Sequence, residues 1–397
     1  MIYFFVVIVL LYYVSLHDIR GQERGYERHQ KIVLLIFTLL AGLRFRMAPD
    51  SITFEYEFLN IYPKIYDIRM SDFTTSRYPP IWFLSNCLFN TFANYYIFQL
   101  FCAFISNYLI SKFVSSVSTK YFTVMLFYYI FNYCYFNMDV MREFMAISFE
   151  MFALSSLFKR NIKTATLFAI LAPLIHSFSI FFSLLICLLY IRPTKKLLIT
   201  IGICGVLIVL NFDNIIPIII TYVPGLSVSI LFYALMDVEN ISLLGFISKL
   251  ISPILLFFIL RVTDRNNLLI FNKTDSVVLK NNNSAYLLVI SYLIIVFLRW
   301  SIPYADRLFN YFAIIGYVIY AYGFYRILAK NSTHNMQLMK LVLICVLFYL
   351  PTAKEMFTLN EANVPIYYRY YPYSSIFDKK ICYEREEIIY SEQRVYD

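Results

Sequence analysis

From Tyr78 to Ser111 the chain runs 34 residues without an Asp, Glu, Lys or Arg, and from Thr164 to Ile191 it runs another 28. A soluble core has no room for such runs, whereas a membrane helix needs about 20 apolar residues to cross the hydrocarbon. Composition extends the argument to the whole chain. Of 397 residues, 60% are apolar and only 15% are charged, against about 25% charged in an average soluble domain. A disordered chain would be more polar, a collagen-like chain richer in Gly, and a disulfide scaffold much shorter. What remains is an all-α polytopic membrane protein. At roughly 30 residues per span and loop there is room for about 12 transmembrane helices, some of them short or re-entrant.

Charge sets the orientation. Met1 to Leu16 has no charge and no basic n-region, which reads as a retained first span rather than a signal peptide. Arg20, Arg24, Arg28 and Lys31 follow and belong in the cytoplasm by the positive-inside rule, leaving the N-terminus outside. A second span at about 32–43 makes 44–79 an outer loop. Lys112 and Lys120 belong inside, so Tyr78 to Ser111 makes an odd number of net crossings, and one half is expected to be re-entrant or interfacial. Spans at about 121–137 and 143–158 meet at an outer turn, Met138–Arg142. Thr164 to Ile191 goes out and returns, bending near Pro173 and His176. Further spans frame an outer segment at 220–241, a cytoplasmic loop at 261–284 and an outer turn at Arg299–Arg307. A last span at about 340–353 leads out to a charged, Tyr-rich tail, 354–397. The seven Cys form no CxxC pair, so no metal site, disulfide or cofactor is indicated. The net charge of +9 reports cytoplasmic loops, and no soluble module presents it to nucleic acid. The 36 Tyr and 39 Phe fit interfacial belts, or else aromatic faces lining a sugar cavity.

This orientation collects Arg44, Arg46, Asp50, Asp139, Arg142, His176, Arg299, Asp306 and Arg307 at the outer ends of spans. Positive-inside bias removes basic residues from that side, yet five Arg stand there. Arg grips phosphate and carboxylate in a planar, bidentate way. One reading is an outer cavity for a phosphate or diphosphate head group. The other is Arg–Asp pairs that stitch loops together, such as Asp139 with Arg142 or Asp306 with Arg307. Glu150 lies inside the span 143–158, seven residues from Glu143 and so on the same helix face. An intramembrane carboxylate is either functional or paired with an Arg of a neighbouring helix. His176, in LAPLIHSFSIF, is either a proton acceptor near neutral pH or a hydrogen-bonded core residue.

Four local patterns extend the argument. AGLRFRMAPDSITFEYEF resembles the motif that opens the first large outer loop of EpsG-family and Wzy-type polysaccharide polymerases, where G-L-R-[YF] is followed by G-x-D and aromatics. MREFMAISFEMFAL resembles that family's R-Q-x-x-A helix, LAPLIHSFSIF its apolar-H-x-S segment, and YADRLFNYFAI a later Arg–aromatic motif. The order and spacing agree from about residue 1 to about 355. Two departures stand out. Met47-Ala48-Pro49-Asp50 lacks the usual Gly before the Asp, so a different loop conformation is expected. Glu143 replaces the usual Gln.

The resemblance implies a transmembrane polymerase domain over 1–353, in the bacterial plasma membrane. It also implies the substrate, an oligosaccharide linked to undecaprenyl diphosphate, and a partner protein that regulates chain length. The product would be O-antigen, capsule or secreted exopolysaccharide. The reaction it implies is glycosyl transfer at the outer face with polyprenyl diphosphate leaving. Arg44, Arg46, Arg142, Arg299 and Arg307 would stabilise that leaving group without a metal, with Asp139 and Glu150 completing the binding site. His176 is the first choice of general base, with Asp50 and Glu143 behind it. A flippase or transporter of a lipid-linked glycan, an O-antigen ligase and a membrane acyltransferase are alternatives, because each would use a similar outer cavity.

Overall fold

The computed structural model describes residues 2–76, 78–191, 194–210, 282–301, 305–360 and 363–394, with residues 254, 255, 258 and 259 between them. The expected outer segment 220–241 and nearly all of the expected cytoplasmic loop 261–284 lie outside the described residues. The described chain is helical, with two isolated bridges instead of a sheet.

In chain order the helices are α1 (Ile2–Tyr13), α2 (Tyr26–Gly42), α3 (Pro49–Asn60), α4 (Met70–Thr75), α5 (Pro80–Phe92), α6 (Tyr95–Val117), α7 (Tyr121–Phe131) and α8 (Met141–Phe158). They continue as α9 (Ile162–Leu171), α10 (Ile180–Tyr190), α11 (Lys195–Leu210), α12 (Asn282–Ser301), α13 (Ala305–Gly323), α14 (His334–Met356) and α15 (Tyr383–Arg394). Three stretches are long and apolar enough to cross a membrane: Ile2–Ile19, Tyr95–Val117 and Arg307–Leu328. Five shorter apolar helices accompany them. The protein is therefore a multi-pass helical membrane protein, and 12 full spans are not what the described helices display. The 34-residue uncharged run divides unequally. α5 has 13 residues and rises about 20 Å, short of the roughly 30 Å hydrocarbon, while α6 has 23 and is long enough.

Local chemistry fixes the helix starts. Asn94 caps α6 by accepting from the Ile97 amide at 3.1 Å, and Asn161 caps α9 through Thr164 at 3.2 Å. Asp18 reaches across the bundle to accept from the Thr123 amide at 2.6 Å, in the first turn of α7. Each cap satisfies an amide that the helix itself leaves free.

α7 is the centre of the bundle: every side chain from Tyr121 to Tyr129 is buried. Around it α2 packs on α6, α6 on α8, α8 on α9, α1 on α7, and α11, α12 and α13 on one another in turn. α2 and α6 approach closely at their outer ends. A Cβ on Gly42 would stand 2.9 Å from the Leu100 backbone Cα, so only Gly fits. The outward surfaces of α1, α9 and α10 carry exposed Phe4, Phe5, Leu167, Ile170, Phe181 and Leu184, a liability in water and the expected surface in lipid.

A charged candidate site at one end of the bundle

The site begins where α2 ends. Gln99 on α6 donates from Nε2 to the carbonyls of Gly42 and Arg44, both at 2.9 Å, and so fixes the exit of the chain. The tail then covers that exit. Phe45 donates to the Ser374 carbonyl at 2.9 Å, Ala48 to Arg369 at 3.0 Å and Ile376 to Leu43 at 2.9 Å. Arg385 is buried and holds the arrangement by donating to the Arg46, Tyr368 and Pro372 carbonyls at 3.3, 2.9 and 2.5 Å. Ala48 takes φ 66° and ψ 152°, a region open mainly to Gly. The loop thus adopts a glycine-like turn with an Ala in place. Pro49 and Asp50 then start α3, Pro fixing φ at the first position and Asp favouring the positive helix end.

Around this loop the candidate residues sort into two groups. Asp50, Asp139, Arg142, Glu143 and Arg307 form one electrostatic centre. The Asp50 amide donates to the Asp139 carboxylate, which also accepts from Tyr370 at 3.2 Å and feels the charges of Arg369 and Arg44. Glu143 accepts from Asn310 Nδ2 at 2.6 Å. Arg142 lies 4.5 Å over the Tyr78 ring, and its buried Nε has no hydrogen-bond partner among the described residues. His176 is buried and its Nδ1 is 3.0 Å from the Tyr311 hydroxyl. The charges of Arg142 and Arg307 reach it as well. Burial first, and then the Asp139 charge, push the Asp50 carboxyl up to about 7, against the opposing pull of Arg307 and Arg142.

The remaining candidates have other partners, although the charge of Arg44 reaches Asp139. Arg44 is fully buried, donating to the Ala41 carbonyl at 2.7 Å and to Met141 Sδ at 3.8 Å. Arg46 pairs with Glu55 at 3.4 Å and Glu386 at 3.6 Å, a stitch between α3 and α15. Glu150 sits two helical turns below Glu143, roughly 10 Å deeper, with Ser183 Oγ at 2.5 Å. The backbone of Arg299 belongs to α12, and its side chain, like that of Asp306, lies outside the described residues. Among described His, Cys, Asp and Glu no group is placed to hold a metal ion.

Several participants were not singled out in the sequence. Asn310 and Tyr311 lie three and four residues after Arg307, the spacing that puts them on one helix face. Tyr78, Arg369 and Tyr370 had no such signal, because each reaches the site through tertiary folding of a loop or the tail.

Fold and site together define a multi-pass membrane protein with a centre of three carboxylates and two arginines at one end of its bundle. The sequence matches the EpsG family over residues 30–375, and the chain belongs to that family of polysaccharide polymerase-like membrane proteins. The match starts at residue 30 rather than near residue 1, and it extends past the expected end near 355 to take in Arg369, Tyr370 and Ser375. Comparison with curated proteins and with solved structures finds no match.

Proposed function

We propose that this protein polymerises oligosaccharide repeat units carried on undecaprenyl diphosphate, at the outer face of a bacterial plasma membrane. The observation that supports this most is the convergence of Arg142 and Arg307 on Asp50 and Glu143, within reach of His176. The two guanidiniums hold the diphosphate and stabilise the charge that develops as it leaves. The acceptor hydroxyl attacks the anomeric carbon of the donor, the C1–O bond to phosphate breaks, and the hydroxyl proton passes to a base. Asp50 is the better base on this geometry. Its side chain is half-buried and its carboxyl sits near neutrality, where a general base works best. His176 is buried and its Nδ1 is engaged by Tyr311, which suits it to position the centre. Direct displacement inverts the anomeric carbon.

The test is the surface glycan of a deletion strain, displayed as a size ladder. Single repeat units should remain, wild type should restore the ladder, and Arg142→Ala should not, losing about 100-fold or more of activity. Absence of even the single unit would point to export or ligation and overturn this reading.

A further inference from the structure

Outside the charged centre, the loop between α3 and α5 forms an open cleft of about 510 Å³. That is within the usual range for small-molecule sites. It lies between α3, α4 and the start of α5, and Glu57, Tyr62, Asp72, Ser76, Tyr78 and Phe83 line it. Its apolar part includes three rings, Tyr62 standing 6.2 Å from Tyr78 and 5.8 Å from Phe83. Two carboxylates and the hydroxyls of Ser76, Tyr62 and Tyr78 supply its polar part.

From this lining we infer that the cavity is a saccharide subsite, shaped for a non-acidic sugar of the repeat unit. Sugar rings offer apolar C–H faces that lie on aromatic rings, and hydroxyl donors that carboxylates accept strongly. Glu57 and Asp72 would repel a uronic acid and accept from a neutral or amino sugar.

Position ties the cavity to the charged centre. The Tyr78 hydroxyl donates to Glu57 inside the cavity, while the face of its ring carries the Arg142 guanidinium at 4.5 Å. One side chain is therefore a wall of both compartments. A glycan whose diphosphate lies at Arg142 has its sugars beside Tyr78. This assignment rests on the polymerase reading for its ligand and on the lining for its chemistry.

The experiment uses the full chain in detergent and two probes, inorganic pyrophosphate and the lipid-free repeat-unit oligosaccharide released from the host's surface polymer. The Glu57→Gln, Asp72→Asn double variant keeps an acceptor for the Tyr78 hydroxyl and for the Arg69 amide, so its fold should survive. A melting temperature equal to wild type verifies that. Expected are oligosaccharide binding that weakens about tenfold or more in the double variant and pyrophosphate binding that does not change. Oligosaccharide binding equal in both proteins, or none in wild type while pyrophosphate binds, overturns the subsite. Oligosaccharide binding lost in the variant with no pyrophosphate binding in wild type upholds the subsite and sinks the diphosphate centre instead.

Discussion

Ala48 shows how much a single backbone position carries. At φ 66° and ψ 152° its methyl is already strained, by about 1–3 kcal/mol. A β-branched side chain is worse there. Ala48→Val should therefore lower stability by about 2 kcal/mol or more, whereas Ala48→Gly should be nearly neutral, strain relief offsetting Gly's unfolded-state entropy. Thermal unfolding of the two purified variants checks this, and equal melting temperatures would contradict it. Asp50 yields a prediction with two readouts. With its carboxyl near pH 7, a base must lose its proton to act, so activity should rise as pH climbs through about 7. Stability runs the other way. The raised pKa means that the folded protein keeps a proton the unfolded chain has released, so stability is full in acid and falls as pH rises through 7. Asp50→Asn should thus abolish glycan joining yet melt higher than wild type at pH 8. A flat pH profile between 6 and 8 would remove Asp50 from the base role. Asp50, Arg142 and Glu143 stood out in the sequence because each lies in a short motif at the end of an apolar span. The roles of Arg44 and Arg46 were not, since burial of Arg44 and pairing of Arg46 with α15 depend on chain segments that sequence spacing does not bring together.

Among the elements, the contact of α2 with α6 decides where the outer loop starts. Gly42 faces the Leu100 backbone at a distance no side chain tolerates, and Gln99 satisfies two carbonyls beyond the end of α2. Gly42→Ala should force the helices apart and cost about 1–3 kcal/mol. Gln99→Leu should cost a similar amount by stranding buried carbonyls, with loss of glycan joining because Asp50 is placed by the same loop. Melting temperature and the glycan ladder measure both effects; unchanged values for Gln99→Leu would mean that the loop is held by the tail alone. The uncharged run from Tyr78 to Ser111 announced an irregular element by its length. Its division into a short α5 and a long α6 was set by Asn94, whose side chain caps α6 at Ile97. The turn at Ala48 was hidden for the opposite reason: Ala gives no sign of a positive φ.

At the scale of the molecule, the orientation expected from charge can be tested on the face where α1 meets the tail. The tail packs against residues 43–48 and Tyr3 donates to the Tyr370 carbonyl at 2.8 Å, so both chain ends share one face with Asp50 and Arg142. Phe377 is exposed on that face and Glu23 is exposed in the loop after α1. In intact cells a membrane-impermeant maleimide should label Phe377→Cys and should reach Glu23→Cys only after permeabilisation. The reverse pattern would invert the protein in the membrane and detach the site from an outer substrate.

The folding back of the tail has a consequence for biosynthesis. Arg369 and Tyr370 reach Asp139, and Arg385 ties them to the loop that carries Asp50. Until residues 363–394 have folded back, that loop has no strand-like partner and Asp139 lacks both its hydroxyl donor and the charge of Arg369. A ribosome that has not yet reached Arg385 therefore carries a site without its cover, because the loop before Asp50 finds its last hydrogen bonds only in that segment.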